Sequence, residues 1–207
     1  GYLKEPVSDE IMTELQDNFF PAWEAKYPGL TRESVGESAA EAEFMAEIGA
    51  LLMIALFAMY FMLAVAFKSY SQPILILIAI PFAILGAIIG HYIMGMPISI
   101  YSYFGTIAAT GVVVYDNLVL IDSYNIYRKE GMHRSEAIQR AGRNRFRPIL
   151  ITSVTTFIGL VPLMLERSSQ AAWLQPIVVA LAYGLVVAFF VTLFLVPAML
   201  INGRNIK

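Results

Sequence analysis

The chain has 207 residues, of which 58% are hydrophobic and only 14% charged. That is well below the roughly one-quarter charged residues of a soluble domain, and with a mean hydropathy of +0.65 it marks a membrane protein. The absence of cysteine excludes a disulfide framework and thiolate metal sites. The formal net charge of −2 conceals a division: eleven acidic residues face three basic ones between Gly1 and Glu47, and seven basic residues face two acidic ones between Arg128 and Arg147.

Residues 1–46 are polar. Ser8 to Tyr27 reads as an amphipathic helix, with Ile11, Leu15, Phe19 and Trp23 at every fourth position and Ser8 or Asp9 as its cap. Pro28 and Gly29 stop it, Leu30 to Gly36 reads as extended or irregular, and Glu37 to Glu47 resumes helical character. The opening is neither basic nor apolar, so it does not read as a signal peptide. An acidic start without methionine reads as a piece of a longer chain, in which this short segment packs on parts that lie elsewhere.

Five apolar runs of membrane length follow, at about 48–67, 73–94, 98–125, 148–165 and 174–201. The second contains Pro81 and a Gly86/Gly90 pair whose small-xxx-small spacing suits close helix packing. The fourth is interrupted by Pro162, which is expected to kink or end it, and the fifth carries Pro176 and Pro197 near its two ends. The one long connection holds the basic residues, and 134–147 is expected to form a basic interfacial helix. Basic connections are retained in the cytoplasm, so the charges fit five spans with the first segment outside and the carboxy terminus inside.

The third run carries the chemistry: PISIYSYFGTIAATGVVVYDNLVLIDSYN, Pro97 to Asn125. Asp116 and Asn117 lie deep in it and Asp122 nearer its end. A carboxylate at membrane depth is costly unless protonated, paired or hydrated, which makes Asp116 a functional candidate. Gly105, Ala109, Val112 and Asp116 share one helical side, whose small residues admit a neighbouring helix, so Asp116 is expected to face a bundle. Tyr115 lies on another side, with Ala108, Gly111, Val119 and Asp122, from where its hydroxyl reaches across an interface or its ring fills space. In the fourth run, Thr152, Ser153, Thr155 and Thr156 either bond their own backbone or form a relay beside Asp116, with Thr152 the leading member. His91 is expected at the outer boundary. No metal-ligand constellation, phosphate loop or hydrolase triad is present, so the chain is not expected to be an enzyme or to need a cofactor. The basic connection is better explained by topology and lipid head groups than by nucleic acid.

GVVVYDNLVLIDSYN, FKSYSQPILILIAIPFAILGAIIGH and RFRPILITSVTTFIGLVPL together resemble the carboxy-terminal half of a resistance–nodulation–division (RND) efflux permease, in the hydrophobe and multidrug exporter group. The resemblance runs from about Tyr27 to Ile201. It implies an all-α membrane protein whose five transmembrane helices are the eighth to twelfth of the permease. Residues 1–46 would be a periplasmic α/β remnant of the porter region with a lead-in helix. It further implies a homotrimer in the bacterial inner membrane, driven by proton antiport and exporting hydrophobic small molecules. Its partners would be a periplasmic adaptor, an outer-membrane channel and the remaining amino-terminal part of the permease. The proton relay maps onto Asp116, Tyr115, Thr152 and Arg145, with Gly105, Ala109 and Gly111 as helix-packing positions beside it. Tyr115 departs from the family's usual Lys or Asn. A non-transporting accessory or assembly module of a transporter complex is the alternative.

Overall fold

The computed structural model describes residues 14–27, 37–166, 168 and 171–202. The chain divides into two compact units, residues 1–46 and 47–207. In the first, a π-helical turn, Leu15–Phe19, passes into the α-helix Phe20–Lys26. Pro21 causes the wide turn: it has no N–H for the carbonyl four residues back, and its ring crowds that group. The Phe20 N–H bonds the Leu15 carbonyl instead. The same device recurs in the fifth span, where Val191–Leu195 is π-helical, the Val196 N–H bonds the Val191 carbonyl, and Pro197 follows. The expected helix start at Ser8 and the extended stretch 30–36 lie outside the described residues. Among the described residues there is no strand, so only the helical part of the expected α/β segment is seen.

Among the described residues five helices are long and apolar enough to cross a membrane: Glu43–Phe67, Ser71–Met94, Ile100–Lys129, Arg134–Leu165 and Gln175–Ile201. They follow the order of the five apolar runs. In the most apolar stretch of each, 44% is buried in the second, third and fifth spans, against 6% in the first and 11% in the fourth. The second, third and fifth spans therefore form the packed centre, to which the first adds Leu63 and the fourth Ala137, Ile138, Ala141 and Met164.

Small residues decide which three. Lipid gives no hydrophobic drive for helices to associate, so contact depends on how closely backbones approach. A Cβ on Gly105 would stand 2.0 Å from the Ile177 carbonyl oxygen, and one on Gly86 would stand 2.6 Å from that of Tyr183. Gly184 lies against Ala109 and Ala83, at 3.0 and 3.1 Å from where its own Cβ would be. The fifth span is thus wedged between the second and third, backbone on backbone.

The second span is two helices, Ser71–Leu77 and Ile80–Met94, because Pro81 falls in the first turn of the latter and has no N–H to continue the ladder. The fourth span behaves otherwise. One helix runs from Arg134 to Leu165 through Pro148 and Pro162. The basic stretch 134–147 is its first part rather than a separate interfacial helix, and Pro162 does not end it. Each proline removes one bond from a 32-residue helix, which the rest of the ladder outweighs.

Left-handed residues close three of the turns. Gly95 (φ 64°) and Gly131 (φ 89°) follow the second and third spans, where Met96 N–H bonds the His91 carbonyl at 3.0 Å and Met132 N–H bonds that of Tyr127 at 3.2 Å. After the first span the same geometry falls on Lys68 (φ 50°), with Ser69 N–H bonding the Ala64 carbonyl at 3.3 Å.

Candidate proton-relay site

Asp116 lies on the side of the third span that Gly105 and Ala109 press against the fifth. It is 9% exposed, and among the described residues no hydrogen bond or ion pair engages its carboxyl. The sequence places it in a bundle, and the structure does the same. Asn117 is fully buried and spans to the interruption in the second helix, its Nδ2 donating to the Ile76 carbonyl at 3.2 Å. Its Oδ1 is buried without a partner among the described residues.

Among the described residues none of the other three relay candidates hydrogen-bonds Asp116. Tyr115 is 64% exposed, on an open stripe with Phe104, Ala108 and Gly111. Thr152 is exposed too, and its hydroxyl donates to the Pro148 carbonyl at 2.9 Å, which is the local bond that threonine makes in helices. Thr155 does likewise to Ile151 at 2.7 Å. Arg145 does reach the third span, but through Ser123: its Nε donates to Ser123 Oγ at 2.8 Å, and that hydroxyl donates to the Val119 carbonyl at 2.9 Å. Ser123 follows Asp116 by two helical turns, a distance of about 10 Å along the axis. Of the packing positions, Gly105 and Ala109 make the close approach. Gly111 does not, since a Cβ there would meet open space.

Several polar contacts show the third span as the hub. His91 was expected at the boundary, yet it is 2% exposed. Its Nδ1 lies 2.8 Å from the Ala87 carbonyl, which only accepts, so Nδ1 carries the proton and Nε2 accepts from the Ser102 hydroxyl at 2.7 Å. Ser102 Oγ also accepts the Ser99 N–H at 3.0 Å, capping the third span while holding it to the second. At the basic end Gln72 and Asn125 exchange amide bonds of 3.1 and 2.7 Å. There Asn144 Nδ2 donates to the Tyr127 hydroxyl at 2.6 Å, and the Arg140 guanidinium lies over the Tyr127 ring. Ser102 was legible as the third residue after a capping serine. Ser123 was legible as seven residues beyond Asp116, on nearly the same face.

The sequence profile described as the AcrB/AcrD/AcrF family matches residues 16–202. The chain belongs to that family of RND permeases. This permease chain is 34% identical over 164 residues to the swarming motility protein SwrC of Bacillus subtilis (strain 168), covering 78% of the chain and 16% of SwrC. It is also similar to two solved crystal forms of a heavy metal efflux pump. The first has 26% identity and a TM-score of 0.71 over 91% of the chain, the second 28% and 0.75 over 94%. The chain spans only 19% and 20% of those structures. An all-α bundle of five membrane-length helices is thus the fold observed among the described residues, and it is similar to about a fifth of each of those structures.

Proposed function

We propose that this chain forms the carboxy-terminal half-bundle of a proton-driven exporter of hydrophobic, drug-like compounds, with Asp116 as the acid whose proton is exchanged. The observation that carries the reading is a carboxyl held among close-packed membrane helices with no partner among the described residues. Arg145 acts from the basic end through Ser123, while Tyr115 and Thr152 stand on faces left open in this chain, available to the permease's other half. The charge division supports a periplasmic first segment and a cytoplasmic basic connection. A homotrimer working with a periplasmic adaptor and an outer-membrane channel completes the proposal, as does an inner-membrane location.

Metal-ion export is the second reading, favoured by the likeness to heavy metal efflux pumps. One assay separates these readings. The full-length permease in proteoliposomes, with a proton-sensitive dye inside, is given either a hydrophobic dye or a heavy-metal salt outside the acidified lumen. Proton efflux driven by the hydrophobic compound, and lost in Asp116→Asn at unchanged protein abundance, is the expected result. Wild-type proton flux in the variant would reduce Asp116 to structure, whereas no flux with either compound in the unsubstituted protein would favour the accessory-module alternative.

A further inference from the structure

At the basic end of the bundle, the end of the first span, the start of the second and the end of the third enclose an open cavity of about 700 Å³. Lys68, Arg128 and Lys129 bring three positive charges to its wall, Asp122 brings one negative charge, and Gln72 and Asn125 present their reciprocal amide pair. Among the described residues no ion pair neutralises Lys68, Lys129 or Asp122, and Arg128 uses one N–H on the Met132 carbonyl. Three cations around one cavity exceed the single carboxylate of Asp122 and repel one another, and an anion relieves them.

Lys68 adds an independent observation. It occupies the left-handed position that glycine fills at the two equivalent turns. A residue with a Cβ is strained there, and such strain persists at sites where a side chain serves a ligand. The cavity also lies where membrane-length helices end, at the level of lipid head groups, and the rest of its wall is largely apolar.

We infer that this cavity binds an anionic phospholipid of the phosphoglycerol class. The phosphate sits among Lys68, Arg128 and Lys129, and the glycerol hydroxyls donate to the Asp122 carboxylate and the amide carbonyls. A choline head group has no donor for Asp122 and brings no net negative charge to balance the excess of cations. The inference is separate from proton coupling and holds for either leaflet.

The test is native mass spectrometry of the protein purified in neutral detergent, titrated with phosphatidylglycerol or phosphatidylcholine. Phosphatidylglycerol should be retained about tenfold better, from roughly two lysine–lipid contacts. The double variant Lys68→Gly, Lys129→Gln should bring the two lipids level at an unchanged thermal midpoint, because glycine accepts the backbone at 68 and Lys129 is exposed. Equal retention of both lipids by the wild type overturns the inference, as does an undiminished preference in the variant. Displacement by inorganic phosphate at matching concentration also overturns it, since the site would then serve a soluble anion.

Discussion

Asp116 and Asn117 are neighbours in the chain with different tasks. Asn117 is committed to structure: it gives its amide to a carbonyl at the break in the second span. Asn117→Ala removes that donor but also an unpartnered acceptor, so the net loss should be small, about 1 kcal/mol, read from the midpoint of denaturant unfolding in mixed micelles. Asp116→Asn keeps the shape and removes the exchangeable proton. In the full-length permease it should lower proton-coupled export by roughly a hundredfold with an unchanged unfolding midpoint, measured by dye efflux and by unfolding of the same preparation. Gly105 belongs at this scale too. With the Ile177 carbonyl oxygen 2.0 Å from the added methyl, Gly105→Ala must push two backbones apart, and a destabilisation of about 1–3 kcal/mol should appear in the same unfolding assay.

Among the elements, the clasp between the second and third spans is the firmest outcome that sequence alone misjudged. A lone histidine near a helix end reads as interfacial; what buries His91 is Ser102, which arrives from the next span. His91→Leu removes that bond, and the cost of about 1–3 kcal/mol should come with faster amide exchange over the first turn of the third span. The legible features were those written within a single helix: the apolar runs, the small-residue faces of Gly86, Gly90, Gly105 and Ala109, and a carboxyl on the packed side. The illegible ones depend on partners. For Thr152 the residues left local bonding and a relay both open, and the structure adds the local bond, its hydroxyl donating to Pro148 in its own helix. Pro162 was expected to interrupt the fourth span, while Pro81 and Pro197 are the ones accompanied by a break and a wide turn. Proline removes a donor in every case; the surrounding packing sets how the chain responds.

For the molecule as a whole, the uneven covering of its helices is the main fact. The first span exposes Leu51, Met53, Ile54, Phe57, Phe61 and Met62, and the third exposes the Tyr115 stripe. Gly111 tests what that stripe is for. Because a side chain there meets open space within the chain, Gly111→Leu should leave its own unfolding midpoint unchanged. If the permease's other half docks on this stripe, the same substitution should reduce co-purification of a separately expressed amino-terminal half, and undiminished co-purification would show that the stripe faces elsewhere. The central seam has the opposite character. Where the fifth span meets the second and third, the side chains between them are mostly small, and at Gly86 and Gly105 backbone faces backbone. Helices this closely fitted are expected to move as one body, so any rearrangement of the bundle should fall at its loosely covered first and fourth spans.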